Sequence, residues 1–251
     1  MPKLFCVSDI HGFYDEMIDA LEKAGFDKDN PEHYCITLGD HFDRGPMPYH
    51  VMRYLMSLER WISIFGNHEQ LFNECVERGY PYSHDYSNGT FETICELGGA
   101  AEGRSFDECC IIAEQKVKHF FDRMINYFET ENYIFVHSFI PLKCNDKHPV
   151  YHTRNRKFAK DPDWRHAHES AWETARWGNP FLLADKGLLP NKKLVFGHFH
   201  TSFARNYFDG EPEFGDDANF DIYDGGKFIG IDGCTAYTGK VNVLVLEDNF
   251  I

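Results

Sequence analysis

The sequence predicts an α/β fold of layered sheets and helices, and three features indicate it. Short apolar runs alternate with amphipathic helical patterns over the first seventy residues. Polar side chains of types that bind metals follow almost every apolar run, and a turn signature, DGGK at 224–227, separates two later runs. Alternation of strand, loop and helix is typical of layered α/β proteins. Because 251 residues with 43% hydrophobic content can bury one sizeable core, we predict a single domain over residues 1–251.

The first seventy residues contain three predicted strands and two predicted helices. The second helix follows Pro46 and Pro48, and proline is favoured at the first turn of a helix. The first helix has an apolar stripe at helical spacing and stops at Gly25, a residue common after a helix end. We predict strands over residues 3–8, 33–38 and 61–65, and helices over residues 13–24 and 49–58.

The remaining chain is predicted to be helical first and then to return to strands. Residues 69–130 are expected to be mostly helical, with the aromatic residues of a helix over residues 117–128 facing the core. Residues 138–165 carry no regular pattern and are expected to be irregular. We predict strands over residues 132–136, 194–196 and 241–246, and a hairpin that joins 220–223 to 228–231.

Charge and cysteine content exclude several classes of partner. A net charge of −15 disfavours binding to duplex nucleic acid, because the phosphate backbone is itself negative. No apolar run approaches membrane-spanning length, so no membrane partner is expected. The eight cysteines form no CxxC pair, and the beginning of the chain does not resemble a secretory signal. These features predict a cytoplasmic protein with reduced thiols.

An acidic stretch near the end of the chain allows two interpretations. Seven acidic residues and no basic residue lie between Asp209 and Asp224. A solvated loop with its flanking strands is the simpler interpretation. Recognition of a basic partner is the alternative.

Candidate metal ligands cluster at the ends of the predicted strands. The carboxyl ends of parallel strands in an α/β sheet lie at one edge, so side chains that follow them are expected to converge. Taken singly, any of these residues could be a turn residue or a helix cap. Mixed oxygen and nitrogen donors suit Mn²⁺, Zn²⁺ or iron rather than Ca²⁺, and two ions sharing a carboxylate would use so many donors. The strand-end residues are Asp9, His11, Asp40, Asp43, Asn67, His68, His137, His198 and His200.

Five motifs in order resemble those of the calcineurin-like metallophosphoesterases. They are DIHG at 9–12, GDHFDRG at 39–45, GNHE at 66–69, the strand-terminal His137 and GHFH at 197–200. The DRG and GNHE forms are similar to the phosphoprotein phosphatase branch, especially its short bacterial and phage-type members. The resemblance implies a central β-sandwich flanked by helices, with the active site at the carboxyl ends of strands. It also implies two divalent metal ions, Mn²⁺ first and Fe or Zn as alternatives.

The resemblance assigns metal-binding roles to six residues. Asp40 would bridge the two ions. A water shared by both ions, deprotonated by their charge, would be the nucleophile. The first ion would also be bound by Asp9 and His11, and the second by Asn67, His137 and His198.

The resemblance also assigns catalytic roles. His68 would be the general acid that protonates the leaving oxygen, with Asp43 fixing its orientation. Arg44 would bind the phosphoryl oxygens through its planar fork, and Asn67 would contact substrate as well.

Three further residues have weaker assignments. His200 would bind the first metal, with a role beside a ligand or the substrate as the alternative. The candidates for a second phosphate-binding arginine are Arg154, Arg156 and Arg176, of which Arg176 lies in ETARWGNP, a segment that resembles the family's tryptophan-containing turn. For any one of them surface charge is the simpler interpretation. Tyr237 belongs to IDGCTAY at 231–237, which resembles a family segment that lines the site. HAHE at 166–169 is interpreted as surface polar residues.

Three functions follow from these assignments. The first is a dinuclear metal-dependent phosphomonoesterase acting on phosphoserine or phosphothreonine in proteins. The second keeps the metal site but hydrolyses dinucleoside polyphosphates or another nucleotide, using a basic cluster over residues 152–160. The third is a non-catalytic phosphate-binding module, which the retention of every motif disfavours. The oligomeric state is left open.

Overall fold

The computed structural model describes residues 1–144 and 158–251, in which strands and helices are connected by loops and turns. The strands are β1 (Lys3–Val7), β2 (His33–Thr37), β3 (Trp61–Ser63), β4 (Tyr127–Glu129), β5 (Tyr133–Val136), β6 (Leu142–Cys144), β7 (Phe158–Lys160), β8 (Lys193–Phe196), β9 (Tyr223–Asp224), β10 (Phe228–Gly230) and β11 (Leu244–Glu247). The helices are α1 (Tyr14–Lys23), α2 (Pro48–Ser57), α3 (Asn67–Arg78), α4 (Ser83–Asn88), α5 (Thr90–Gly98), α6 (Phe106–Phe121), α7 (Glu169–Ala175), α8 (Pro180–Asp185), α9 (Thr201–Ala204) and α10 (Thr235–Thr238).

Two mixed sheets carry the fold. One has the order β11-β1-β2-β3, in which β1, β2 and β3 run parallel and β11 is antiparallel. The other has the order β4-β5-β8-β10-β9, in which β5, β8 and β10 run parallel and the edge strands are antiparallel. A short separate hairpin pairs β6 with β7. The parallel strands at the centre of each sheet place their carboxyl ends at one edge, where functional loops can meet.

The two sheets pack face to face between layers of helices. Leu4 and Ile36 of the first sheet pack with Phe135 and Val195 of the second in one buried cluster. The next residue along β1, Phe5, points to the opposite face and packs with α1, α2, α3, α5 and α6. The outer face of the second sheet is covered by α7 and α8 in a third cluster. This α-β-β-α layering confirms the predicted fold class.

Strand β1 is buried on both faces because its alternating side chains enter two different cores. Leu4 and Cys6 face the other sheet, whereas Phe5 and Val7 face the helices, and all four are fully buried. A strand with two buried faces has a continuous apolar sequence, as KLFCV does. Such a strand holds the loop that follows it firmly in place.

Two predicted regions differ from the structure. The predicted helix over residues 117–128 ends at Phe121, and Tyr127–Glu129 forms β4 at the edge of the second sheet. The cause is the parallel bridge between Ile64 and Ile125, which holds the chain extended there. Residues 138–165, expected to be irregular, contain β6 and β7.

The remaining elements agree with the predictions to within a few residues. The hairpin pairs Ile229 with Asp224 and Gly230 with Tyr223, as the DGGK turn indicates. The last strand begins at Leu244 rather than at residue 241. In the basic cluster over residues 152–160, residues 152–157 lie outside the described part of the chain. The single domain over residues 1–251 stays a prediction.

Candidate metal centre

Loops from both sheets converge at the carboxyl ends of the parallel strands. Asp9 lies two residues after β1, Asp40 three residues after β2, and Asn67 begins α3 just beyond β3. From the second sheet, His137 directly follows β5 and His198 lies two residues after β8. The convergence expected from the strand-end pattern is therefore present in the structure.

Asp40 lies between two groups of possible ligands. The first group joins Asp40 to His11 and His68, and the second joins Asp40 to His137 and His198. In each group the ligand atoms lie within 4.8 Å of one another. Because one carboxylate belongs to both groups, the arrangement can place two cations side by side with Asp40 shared.

The two oxygens of Asp40 face different partners. Oδ2 lies 3.9 Å from Nε2 of His11 and 3.9 Å from Nε2 of His68. Oδ1 lies 3.4 Å from Nε2 of His137, whose Nε2 is also 2.7 Å from Oδ1 of Asn67. Oxygen and imidazole donors this close suit a divalent transition metal, so the residues present fit the metal pair that the resemblance implies.

Two of the histidines are oriented by backbone carbonyls. Nδ1 of His11 lies 2.9 Å from the carbonyl oxygen of Phe42, and Nδ1 of His137 lies 2.7 Å from that of Leu38. A carbonyl oxygen accepts a hydrogen bond from a protonated Nδ1, and in the neutral ring this leaves the Nε2 lone pair to bind a metal. The hydrogen bonds thus prepare both rings as Nε2 ligands.

His68 and Asp43 form a buried pair beside the first group. Nδ1 of His68 lies 2.7 Å from Oδ2 of Asp43, and the hydroxyl of Thr90 donates to the same oxygen at 2.7 Å. The backbone N–H of Asp43 donates to the hydroxyl of Thr93 at 3.0 Å. Asp43 is therefore held by α5, and it orients Nε2 of His68 toward the centre.

Arg44 reaches over the first group from an exposed position. Its Nη1 lies 2.9 Å from Nε2 of His11, and its Nη2 lies 2.9 Å from Nε2 of His68. The two imidazole rings are 4.7 Å apart and nearly perpendicular. The planar fork of Arg44 is thus presented at the mouth of the site, where it can bind the oxygens of a phosphoryl group.

Backbone conformation in the left-handed region is concentrated at the site. Positive φ is costly for residues other than glycine, and such strain clusters at functional positions. Among the described residues, Cys234 is the one non-glycine residue with positive φ that has no predicted role. The other six are Asp9, His11, Asp40, Asp43, Arg44 and His198.

Two glycines allow the loops to approach one another closely. A Cβ on Gly39, which has a φ of +90°, would lie 2.7 Å from both Cα of Gly66 and Nδ1 of His137. A Cβ on Gly66 would collide with the carboxylate of Asp40. Glycine at both positions is therefore a requirement of the site rather than of a turn alone.

Burial sets the pKa values of the predicted ligands. Burial raises the pKa of Asp9 and Asp40 well above the usual range, and Asp232 and Asp9 respectively add to the increase by repulsion. Burial also lowers the pKa of His11 and lowers that of His137 to about 3. Carboxylates that ionise reluctantly beside neutral imidazoles need a nearby cation to carry their charge.

A buried network lies beneath the metal centre and was not predicted. The carboxylate of Glu69 accepts hydrogen bonds from the backbone N–H groups of Asp40 (2.9 Å), His41 (2.9 Å) and Gly66 (2.8 Å). Burial would raise the pKa of Glu69, but the pairing with His41 outweighs it and lowers the pKa to about 2. Glu69 thus joins the GDHFDRG and GNHE loops.

Asp232 is a second residue that the sequence reasoning missed. It lies two residues after β10, is buried, and accepts a 2.7 Å hydrogen bond from the backbone N–H of Cys234. Burial raises its pKa to about 6. Extending the strand-end pattern to β10 would have found Asp232.

The structure does not bring His200 into either group of possible ligands. Its Nδ1 accepts a 3.2 Å hydrogen bond from the backbone N–H of Phe203 and so caps α9, and its Nε2 lies 3.5 Å from Glu213. The contacts with Phe203 and Glu213 engage both ring nitrogens, and the metal-binding role of His200 stays a prediction.

Arg176 and Tyr237 lie in surroundings that sequence reasoning did not anticipate. Nη2 of the buried Arg176 donates to Asn126 and Glu169, and its guanidinium stacks 4.8 Å from the ring of Phe65. Arg176 bonds to no predicted metal ligand among the described residues. Tyr237 is exposed in α10. Roles in substrate binding for both stay predictions.

The family follows from the match to known sequences. The family model for calcineurin-like phosphoesterases matches residues 2–202. The chain belongs to the calcineurin-like phosphoesterase family. The two groups that share Asp40 are its candidate metal ligands.

Individual relatives match only part of the chain. A symmetrical bis(5'-nucleosyl)-tetraphosphatase of Buchnera aphidicola is 39% identical over 66 residues, which are 26% of this chain and 23% of that protein. The asymmetrical bis(5'-nucleosyl)-tetraphosphatase PrpE of Halalkalibacterium halodurans is 27% identical over 106 residues, or 38% and 42% of the two chains. This chain thus spans less than half the length of either curated relative.

Solved structures support the fold over nearly the whole chain. The crystal structure of a cold-active protein-tyrosine phosphatase from a psychrophilic Shewanella species matches with a TM-score of 0.57 and 14% identity. The match covers 98% of this chain and 76% of that chain. At this identity the likeness shows the fold alone. No helix in residues 1–144 or 158–251 combines the length and apolar character needed to cross a membrane.

Proposed function

We propose that the protein removes phosphoryl groups from phosphoserine or phosphothreonine in proteins, using two divalent cations bound around Asp40. The observation that carries this proposal is the shared carboxylate of Asp40, with one guanidinium and one histidine–aspartate pair beside it. Two cations, most simply Mn²⁺, would supply an activated water and neutralise charge on the phosphoryl oxygens.

Arg44 binds and orients the phosphoryl group in this proposal. The two terminal nitrogens of its guanidinium each lie 2.9 Å from an Nε2 atom, one of His11 and one of His68. Because Arg44 is exposed, an incoming anion can reach this guanidinium from solvent. Bidentate hydrogen bonds to two phosphoryl oxygens would hold the phosphorus in line for displacement.

His68 donates the proton that the leaving oxygen needs. Its Nδ1 is engaged by Asp43 at 2.7 Å, and its Nε2 faces the centre, where it accepts a 2.9 Å hydrogen bond from Nη2 of Arg44. When the guanidinium turns to the phosphoryl oxygens, Nε2 would be free to carry the proton for the leaving oxygen. A serine or threonine alkoxide is a poor leaving group and departs as the alcohol after it is protonated.

The number of cationic groups supports a substrate with a single phosphoryl group. Among the described residues, Arg44 is the one cationic side chain that forms hydrogen bonds with the predicted metal ligand His11 and the predicted acid His68. A fork of this size matches one terminal phosphate, whereas a chain of four phosphates calls for several such contacts. The net charge of −15 also favours substrates less negative than a nucleotide polyphosphate.

A second candidate function is the hydrolysis of dinucleoside polyphosphates. The specific observation in its favour is that two curated relatives are both named bis(5'-nucleosyl)-tetraphosphatases. The chemistry at the two cations would be the same, since a phosphoanhydride also passes through in-line displacement. Substrate size and charge alone would separate the two functions.

One assay separates the candidates. Metal-stripped protein is reloaded with Mn²⁺ and given phosphoserine and phosphothreonine peptides or diadenosine tetraphosphate at matched concentrations, with Asp40→Asn protein as the control for contaminating activity. The proposal expects a higher kcat/KM for the peptides. A higher kcat/KM for the dinucleotide would reject it and support the second candidate.

A further inference from the structure

Two exposed aromatic rings, those of Phe214 and Tyr237, pack against each other on the surface. Phe214 is 52% exposed and Tyr237 is 60% exposed, and their ring centroids lie 5.6 Å apart at an angle of 82°. Exposed apolar rings cost free energy of solvation, and paired ones are typical of recognition surfaces. We call these two rings, with Glu213, Asp216 and Asp217, the aromatic–acidic patch.

Two series of contacts connect the patch with residues of the metal centre. From His198, successive ring contacts of 5.3, 6.5 and 5.0 Å lead through Phe199 and His200 to Phe214. On the other side, Tyr237 donates its backbone N–H to the carbonyl of Cys234 at 2.8 Å. Cys234 in turn donates its backbone N–H to Asp232 at 2.7 Å.

Two of the seven acidic residues in the acidic stretch pair with lysines, and both lie outside the patch. Asp221 pairs with Lys240, and Asp224 pairs with Lys193 at 2.8 Å. Glu213 faces His200 at 3.5 Å. By contrast, Asp216 and Asp217 are exposed, and within residues 1–144 and 158–251 neither of them forms an ion pair. The patch therefore carries two exposed carboxylates close in sequence to Phe214, together with two rings that are each more than half exposed.

This combination matches the chemistry of an arginine side chain. A guanidinium is planar and weakly hydrated, stacks on aromatic faces, and pairs with carboxylates through its fork. A nucleotide could stack on the same rings, but its phosphates would be repelled by the carboxylates of the patch. Charge complementarity thus favours a cationic and planar group.

We propose that the aromatic–acidic patch binds an arginine side chain of the phosphoprotein substrate, close in sequence to the phosphorylated residue. An extended peptide advances about 3.3–3.6 Å per residue, so the ring contacts from His198 to Phe214 place this arginine within about five residues of the phosphorylated one. The inference rests on the proposed function and adds a sequence preference to it.

The test compares substrates that differ only at the arginine. Mn²⁺-loaded protein is assayed with a set of phosphothreonine peptides carrying one arginine at each of the five positions on either side, with the same peptide carrying alanine, and with p-nitrophenyl phosphate. We expect one arginine position to raise kcat/KM about 3- to 10-fold over the alanine peptide. In Phe214→Ala protein this advantage should fall, while turnover of p-nitrophenyl phosphate stays unchanged. Tyr237→Ala should also lower the advantage of the arginine peptide over the alanine peptide.

Tyr80 supplies the matched control. It is 55% exposed and its ring lies 5.5 Å from that of Tyr82 at 79°, so Tyr80→Ala also breaks an exposed, perpendicular aromatic pair. This variant should retain the full arginine advantage. Asp216→Asn combined with Asp217→Asn should reduce the advantage as well, since it removes the two exposed carboxylates.

The outcomes separate this inference from the proposed function. If the wild-type protein cleaves the peptides but no arginine position matters, or if the patch variants retain the advantage, the patch does not bind arginine although the proposed function stands. If the wild-type protein cleaves diadenosine tetraphosphate and not the peptides, the proposed function fails and the inference fails with it. A selective loss of dinucleotide turnover in the patch variants would then identify the occupant as a nucleobase.

Discussion

At the scale of single residues, the site depends on which nitrogen of each histidine faces the centre. Backbone carbonyls contact Nδ1 of His11 and His137, whereas a carboxylate contacts Nδ1 of His68. A carbonyl fixes a neutral ring, while a carboxylate also stabilises the protonated ring. The difference separates two predicted ligands from one predicted acid.

Replacing His68 should show in the kinetics that this residue is an acid and not a metal ligand. In His68→Asn protein, kcat for a phosphoserine peptide should fall by about 10²–10⁴-fold, because the alcohol needs protonation as it leaves. For p-nitrophenyl phosphate, whose leaving group is stable as an anion, the loss should be much smaller. The measurement is kcat for both substrates, with the metal content determined on the same samples. His119 is exposed, so His119→Asn serves as the control. A loss of metal in His68→Asn would identify this residue as a ligand instead.

Arg44 should affect substrate binding and not metal binding. Arg44→Ala removes the fork that faces the phosphoryl group, and a charged hydrogen-bonding group of this kind typically contributes about 10- to 100-fold to kcat/KM. Arg44→Lys keeps the charge but loses the bidentate geometry, so its activity should be intermediate. Steady-state kinetics together with metal analysis check this prediction. Equal activity of the lysine variant and the wild type would show that charge alone suffices.

Asp40 should stabilise the metal-free fold less than a neutral side chain would. Because folding raises its pKa, the protonated form stabilises the metal-free protein at low pH, and that contribution is lost as pH rises above the unfolded value near 3.8. At pH 7, metal-free Asp40→Asn protein should therefore be more stable than metal-free wild type. Urea unfolding at pH 7 measures this, with exposed Asp19→Asn as the control. Equal or lower stability of Asp40→Asn would show that burial does not strain this carboxylate.

At the scale of elements, the loops after β2 and β3 are joined through Glu69 in the first turn of α3. Its carboxylate binds three backbone N–H groups, and His41 contacts it through Nδ1 at 3.0 Å. The other ring nitrogen of His41 lies 2.7 Å from the hydroxyl of Thr37 in β2. A helix, a strand and two metal-binding loops are thus tied to one buried pair.

Replacing Glu69 should destabilise the protein, because this carboxylate holds the two loops together. Glu69→Ala leaves three N–H groups and His41 without their acceptor, which should destabilise the protein by about 3–5 kcal/mol. The lowered pKa of Glu69 means that its contribution is present above the unfolded value near 4.5 and is lost as pH falls toward 2.

Urea unfolding at several pH values checks both statements. The difference in stability between wild type and Glu69→Ala should be large at pH 6 and smaller at pH 3. Glu77→Ala, an exposed position on the same helix, should differ little from wild type at either pH. A difference between wild type and Glu69→Ala that does not change with pH would mean that the ionised carboxylate is not what holds the loops.

The elements also show which predictions a sequence can support. The strands that end at Asp9, Asp40 and His137 were predictable because apolar runs with a polar end are a local pattern. The helix over residues 117–128 was wrong in its last part because Ile125 bridges Ile64, a partner distant in sequence. His200 caps α9 by accepting a hydrogen bond from the backbone N–H of Phe203. The sequence alone does not distinguish a histidine that caps a helix from one that binds a metal, because both can follow a strand by a few residues.

At the scale of the whole molecule, the site exists because two sheets present parallel strand ends at one edge. The first sheet contributes Asp9, Asp40 and Asn67, and the second contributes His137 and His198. The motifs predicted this set, but the sandwich itself came from family resemblance, since strand periodicity does not specify which sheet a strand joins. The left-handed backbone at six site residues could not be predicted, because it is imposed by contacts between loops.

The central claim is that Asp40 holds two cations at once, and metal stoichiometry tests it most directly. Metal-stripped wild-type and Asp40→Asn proteins are titrated with Mn²⁺ by calorimetry, and phosphatase activity is measured along the titration. We predict two Mn²⁺ per wild-type chain, activity that follows occupancy of the second ion, and weakened binding of both ions with no turnover in Asp40→Asn. A single Mn²⁺ per active wild-type chain, or two ions bound at unchanged affinity by Asp40→Asn, would contradict the account.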